Sequence, residues 1–281
     1  MRVLVTGAKG QLGYDVIYEL EKRGHIAIGV DIEEMDITDS QVVKKTILEA
    51  KVEGVIHCAA YTAVDAAEEN VQVCRKINAE GTQNIAQVCQ EADLKMMYIS
   101  TDYVFDGQGE QAWKPENERN PLNVYGQTKY EGELVVEEML DKYFIVRIAW
   151  VFGINGNNFV KTMLRLSETR DTLSVVNDQV GSPTYTPDLA VLLVDMMESE
   201  KYGIYHATNE GLCTWYEFAV EIFKQAGKEI NVIPVSSDEF PSKAKRPSNS
   251  RMCKVKLSEN GFERLPAWQD ALKRYLEHLK G

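Results

Sequence analysis

The chain has 281 residues, 44% of them hydrophobic and 26% charged, a globular mixture that excludes a disordered or fibrous protein. Its 31 Lys and Arg against 43 Asp and Glu give a formal charge of −12. That balance argues against nucleic acid and against an anionic membrane surface, because both are bound through basic side chains. No apolar run approaches the ~20 residues needed to span a bilayer, and M-R-V-L-V-T-G meets glycine too early for a signal peptide. Five cysteines (Cys58, Cys74, Cys89, Cys213, Cys253) form no C-x-x-C pair and read as reduced core residues, so a cytoplasmic protein is expected.

The first half alternates two periods. Val3 to Val5 reads as a strand stopped by Gly7, and Leu12 to Lys22 as a helix with Leu12, Val16, Ile17 and Leu20 on one side. Ile26 to Val30 and Val55 to Ala60 are further strands, Val71 to Cys89 a helix, and Met96 to Ile99 the next strand. A loop over 101–121 precedes a helix from Tyr125 to Leu140 and a strand from Phe144 to Trp150. Strands separated by helices predict right-handed β-α-β units on a doubly wound parallel sheet, a Rossmann-like α/β fold over residues 1–152. The rhythm then loosens. Residues 153–281 read as a smaller, mainly substrate-binding region, with segments near 186–208 packing back on the first domain. Its expected elements are helices at Leu189–Met197, Trp215–Gln225 and Pro266–Leu279, and short strands at Ile204–His206 and Val232–Val235.

Residues 6–13, T-G-A-K-G-Q-L-G, lie after a strand and before a helix. Gly7 permits the tight turn, Gly10 the close approach of a pyrophosphate, and Gly13 close packing of helix on strand; the helix N-terminus then offers N–H groups to phosphates. Three glycines alone also fit a plain β-turn. The placement favours a dinucleotide, and Asp31, at the end of the second strand, supports it. A carboxylate there accepts both adenosine ribose hydroxyls and repels a 2′-phosphate, so NADH is favoured, with NADPH the second option.

Tyr125 and Lys129 stand at i and i+4 on one helix face, and Ser100-Thr101 ends a parallel strand, where ligands meet such sheets. Y-x-x-x-K by itself also fits a solvated helix face. Beside a dinucleotide turn it assigns roles: Lys129 favours the Tyr125 phenolate, Tyr125 exchanges a proton with a carbonyl or alcohol oxygen, and Thr101 holds that oxygen.

The glycine turn, Asn78, S-T-D-Y-V-F-D-G (100–107) and Y-G-Q-T-K (125–129) together resemble the extended short-chain dehydrogenase/reductase family. Within it, A-A-Y-T-A-V-D-A-A-E (59–68), P-L-N-V-Y-G-Q-T-K (121–129) and G-S-P-T (181–184) are similar to the branch of dTDP-4-dehydrorhamnose reductases, over about residues 1–190. The resemblance implies NADH- or NADPH-dependent reduction of the 4-keto group of a dTDP-linked 6-deoxy-4-keto hexose. It implies a catalytic set of Thr101, Tyr125 and Lys129, and a cofactor site of Gly7, Gly10, Gln11, Leu12, Asp31, Asp36, Ile37, Ala59, Ala60, Tyr61 and Thr62 with Tyr125 and Lys129. Thr101, Asp102 and Trp150 would face the sugar, Trp150 fitting a core role equally well. Some members bind Mg2+ through glutamates at a dimer interface. Asp15 stands at the first such position here, so magnesium and a homodimer stay open and no metal ligand is assigned.

Tyr103 stands where a 4,6-dehydratase of this family carries glutamate, which removes dehydration chemistry. A nucleotide-sugar 4-epimerase and a non-catalytic dinucleotide-binding regulatory subunit remain as alternatives. The histidines (His25, His57, His206, His278) have no metal-binding spacing; His57, within a strand, is expected to be a satisfied core residue. Arg246, Arg251 and Lys254 form a local basic cluster, read as a solvated loop or as a diphosphate clamp.

Overall fold

The computed structural model describes residues 1–240 and 242–280. β1 (Arg2–Thr6) passes through the glycine turn into α1 (Gln11–Lys22), and β2 (Ile26–Val30) leads to α2 (Ser40–Ala50). The sequence reading passes over α2. Asp39 caps it by accepting from the N–H groups of Gln41 and Val42 at 2.9 and 3.1 Å, and Val43 and Ile47 are buried. β3 (Gly54–His57) follows, then the short α3 (Val64–Ala67) and α4 (Val71–Arg75). One wide π-type turn, Lys76–Glu80, joins α4 to α5 (Gly81–Glu91); such bulges often mark functional sites. β4 (Lys95–Thr101), α6 (Val124–Met139), β5 (Tyr143–Ile148) and β6 (Val151–Phe152) complete this half.

The second half runs α7 (Phe159–Leu166), β7 (Thr172–Val176), β8 (Val180–Gly181), β9 (Thr184–Tyr185), α8 (Thr186–Met197), β10 (Gly203–His206), β11 (Cys213–Thr214), α9 (Trp215–Ala226), β12 (Asn231–Val235), α10 (Val255–Glu259) and α11 (Trp268–His278). α7 and β7 carry no spacing strong enough to have been anticipated. β7 is stabilised from afar, pairing in parallel with β12.

Six strands form one sheet in the order β10-β5-β4-β3-β1-β2, with every neighbouring pair parallel. The chain winds outward from β1 in both directions, so the strand order reverses between β1 and β3. The crevice at the carboxyl ends of those strands is where an open α/β sheet takes its ligand. Alternate strand residues feed two cores: Val3, Val5, Ile56, Met97 and Phe144 meet α1 and α8 on one face, while Leu4, Val55, Met96, Tyr98 and Ile145 meet α2, α5 and α6 on the other. Thr186–His206 thus adds to the large sheet, α8 against α1 and β10 as the edge strand. A third core gathers Phe152, Val160, Phe218, Trp268 and Tyr275 in the second half. Among the described residues no helix is long and apolar enough to cross a membrane.

Candidate active site

The carboxyl ends of the strands open onto a cavity of about 1120 Å³. Its floor is the glycine turn. Gly7 has φ +65°, and a Cβ there would lie 2.9 Å from Ala59 N; a Cβ at Gly13 would lie 2.2 Å from Gly7 O. The turn therefore has no room for larger residues, and helix and strand approach as a dinucleotide cradle requires. No side chain caps α1 at Gly10. Gln11 lines the cavity, yet its side chain reaches outward, Oε1 accepting from Gly153 N and Asn158 Nδ2, both at 3.1 Å. Asn155 Nδ2 donates to Lys9 O at 2.6 Å, so the 153–158 loop is fastened to the turn.

Most of the expected cofactor residues line this cavity: Gly7, Gly10, Gln11, Leu12, Asp31, Asp36, Ile37, Ala59, Ala60 and Thr62. Tyr61 does not. Its N–H is committed to Asn78 Oδ1 at 2.8 Å, and Asn78 Nδ2 donates back to Tyr61 O at 3.2 Å, so the wide turn before α5 holds this stretch of chain. Asp31 accepts from Lys9 N at 3.1 Å and from Ile32 N at 2.9 Å. Lys9 Nζ pairs with Glu33 and lies 3.6 Å from Glu34, which keeps the one nearby cation among carboxylates. Asp36 is held below the usual carboxylate range by the N–H and hydroxyl of Thr38.

At the far end, Thr101, Asp102, Tyr125, Lys129 and Trp150 meet in the same cavity. Asn123 caps α6 by accepting from Gly126 N at 2.8 Å, which starts the helix where Tyr125 turns toward Thr101. A buried ion pair fixes helix against sheet: Glu133 accepts from Ser100 Oγ (2.6 Å), Arg147 Nε and Nη2 (2.8 and 2.7 Å) and Arg119 Nη1 (3.0 Å). Burial pushes the Glu133 carboxyl up, but Arg147, Ser100 and Arg119 hold it below its ordinary value. Nothing in the spacing of Ser100, Glu133 and Arg147 announced this brace.

The electrostatics correct one expectation. Lys129 does not draw Tyr125 toward phenolate; burial raises the phenol above its ordinary pKa, with the Thr101 hydroxyl opposing. Burial also lowers Lys129 to about 7, against the pull of Glu133. Desolvation disfavours both charged forms and outweighs their help to one another. Asp102 is driven up to about 6 by burial, beside the hydroxyls of Ser250 and Thr101; Thr101 Oγ1 donates to Oδ1 at 3.0 Å, and Oδ2 has no hydrogen-bond partner among the described residues.

The expected strand from Phe144 ends at Ile148, and Trp150 takes left-handed backbone (φ 51°). Trp150 stacks on Trp215, with ring centroids 3.8 Å apart. Trp215 also lines a second cavity of about 1290 Å³ with Tyr103, Asp65, Lys243, Lys245 and Arg246. Trp215 and Tyr103, which meets Tyr125 edge-on at 5.6 Å, are site residues the sequence did not reveal. The expected basic cluster is dispersed. Arg246 pairs with Asp65 at 2.6 Å, Arg251 binds Asn249 Oδ1, and Lys254 is buried against Glu210 at 3.1 Å and Asn209 O. Of the three, Arg246 alone lines a cavity, because backbone direction separates neighbours that sequence keeps close. His57 is the satisfied core residue expected, bonded to Thr6 and Thr82 and pushed down to about 3 by burial.

The RmlD substrate binding domain family matches residues 1–280. A dTDP-4-dehydrorhamnose reductase of Aggregatibacter actinomycetemcomitans is 40% identical over 285 residues, 97% of each chain. A crystal structure of a dTDP-4-dehydrorhamnose reductase from Clostridium acetobutylicum superposes with a TM-score of 0.98 at 43% identity, covering 100% of both chains. That of the Bacillus anthracis dTDP-4-dehydrorhamnose reductase, solved with NADP, superposes with a TM-score of 0.96 at 43% identity, covering 99% of both.

Proposed function

The chain belongs to the RmlD substrate binding domain family, and from that membership we propose its reaction: NAD(P)H-dependent reduction of the 4-keto group of dTDP-4-dehydrorhamnose to dTDP-L-rhamnose. The observation that carries the residue roles is the single cavity joining the glycine turn to Thr101, Tyr125 and Lys129. The dinucleotide fits that cavity, since the glycine positions leave no space for a Cβ and no side chain occupies the start of α1. Gly7, Gly10, Leu12, Asp31 and Ala60 would hold it, and when bound it supplies the hydride.

The chain's own groups supply the rest. Thr101 and Tyr125 bind the keto oxygen, and charge builds on that oxygen as the carbonyl is reduced. Tyr125, kept as the neutral phenol by burial, donates its proton there. Lys129, while charged, stabilises the phenolate that remains. The brace from Glu133 to Ser100 and Arg147 keeps helix and strand end in register during this transfer. Trp150 and Asp102 wall the sugar, and the second cavity, with Lys243, Lys245 and Arg246 on its rim, takes the nucleoside diphosphate. On this reading residues 153–281 contribute mainly substrate contacts. Asp31, with Glu33 and Glu34 holding Lys9, favours NADH over NADPH. Magnesium has no set of ligands within this chain: among the described residues no group of three or more His, Cys, Asp or Glu could hold a metal ion, and no step is routed through it.

The test is turnover of a dTDP-4-keto-6-deoxy hexose with NADH and with NADPH, followed by product analysis. A stoichiometric 4-hydroxy product supports the reading. Isomerised sugar without net cofactor oxidation would point to an epimerase. Cofactor binding without turnover would point to a regulatory subunit.

A further inference from the structure

Lys129 is a buried charge with no carboxylate to answer it. It is 2% exposed, and the carboxyl one turn along its helix, Glu133, is taken by Ser100, Arg119 and Arg147. Among the described residues Lys129 forms no ion pair. Lysines are seldom buried without a partner, because an unpaired charge away from water is costly. What lies against this ammonium is the face of Tyr98, on β4, with Nζ 4.0 Å from the ring centroid. An aromatic face is negative at its centre, and its attraction for a cation is greatest where water is excluded.

The ring is fixed in that position. Tyr98 is fully buried, and its hydroxyl donates toward Lys129 O at 3.3 Å and Asn78 O at 3.4 Å. Gly132 makes the space, since a Cβ there would lie 2.3 Å from the Tyr98 hydroxyl. The His57 ring lies 5.7 Å from the Tyr98 ring, between centroids. It is neutral near physiological pH, burial having pushed it down to about 3, so no second cation competes for the face. The other titratable groups around Lys129 are Tyr125 and Glu133 on its own helix, Cys58 after β3 and Cys74 on α4. Burial raises both thiols, which keeps them uncharged.

We propose that Tyr98 is the positioning residue for Lys129, its ring being the seat on which the ammonium stays charged at the wall of the reaction cavity. The functional consequence rests on the reading of Lys129 given above. The seat itself does not. A weaker ring face lets Lys129 lose its proton at lower pH, and reduction then fades at lower pH because the Tyr125 phenolate is left without its cation.

The experiment replaces Tyr98 in the full-length protein with phenylalanine and then with phenylalanines bearing one, two and three ring fluorines. The shape is nearly constant while the negative face weakens stepwise. Lys129 titration is followed by NMR of its labelled side chain, and turnover by its pH profile. Tyr98→Phe should leave both within about twofold of wild type, since the face survives. The trifluoro ring should lower the Lys129 midpoint by about one pH unit, and turnover above that midpoint about tenfold. A midpoint flat across the series overturns the seat. A midpoint that moves while turnover stays level supports the seat and removes Lys129 from the reaction, which separates the two readings.

Discussion

Trp150 and Trp215 stack face to face, centroids 3.8 Å apart and planes 17° apart, where the reaction cavity adjoins its basic neighbour. Trp150 reaches this place with left-handed backbone, which a non-glycine residue keeps only where packing over-determines it. Thr184 N donates to Trp150 O at 3.1 Å, and a Cβ on Gly181 would fall 2.9 Å from the indole, so both neighbours hold it. Trp150→Ala should raise the KM for the sugar nucleotide about tenfold, from ~1–1.5 kcal/mol of aromatic contact, and leave that for NADH within about twofold. A uniform loss of thermal stability with unchanged KM values would return Trp150 to the core.

Tyr125→Phe should lower kcat by about 10²–10⁴, the range of a positioned proton donor, with NADH binding retained because the ring stays. The pH profile carries the sign. Tyr125 keeps its proton well above neutrality, so its ionisation does not limit the reaction. Lys129, at about 7, loses its charge as pH rises, so reduction should fall on the alkaline side and hold on the acid side until Asp102, at about 6, takes up a proton. Steady-state rates from pH 5 to 9 test this, and a rate climbing through pH 8 would contradict it.

Asp31→Ala should cut the NADH-to-NADPH ratio of kcat/KM about 5- to 150-fold, for a like-charge penalty of ~1–3 kcal/mol. Glu33→Gln with Glu34→Gln should move the ratio the same way by releasing Lys9, an exposed pair sensitive to salt. Measured preference for NADPH in the wild type would refute the role given to Asp31.

Asp15 is buried on α1 with Oδ2 lacking a hydrogen bond among the described residues, and burial raises its carboxyl above the ordinary value against the help of Thr186 and His278. A raised carboxyl favours the folded state at low pH, and that contribution disappears as pH rises through the folded-state value. Asp15→Asn should therefore raise Tm at pH 8, by about 2 °C per kcal/mol relieved, and change it little at pH 4. Equal melting shifts at both pH values would mean the charge is not the cause.

The sequence by itself determined the parts of this protein whose signals are local. A glycine turn between a strand and a helix, a carboxylate closing the second strand, and Tyr125 one turn before Lys129 are each written within a few residues, because turns and helical faces are short-range geometry. The alternating periods gave the parallel sheet for the same reason. Tertiary structure decided everything that depends on what faces a side chain across the fold. Spacing cannot show that Glu133 meets Ser100 and Arg147, that Trp215 covers Trp150, or that Arg246 leaves Lys254 for Asp65. Nor could it show that burial would overrule Lys129 and keep Tyr125 protonated, because desolvation belongs to the assembled cavity and to none of its residues alone.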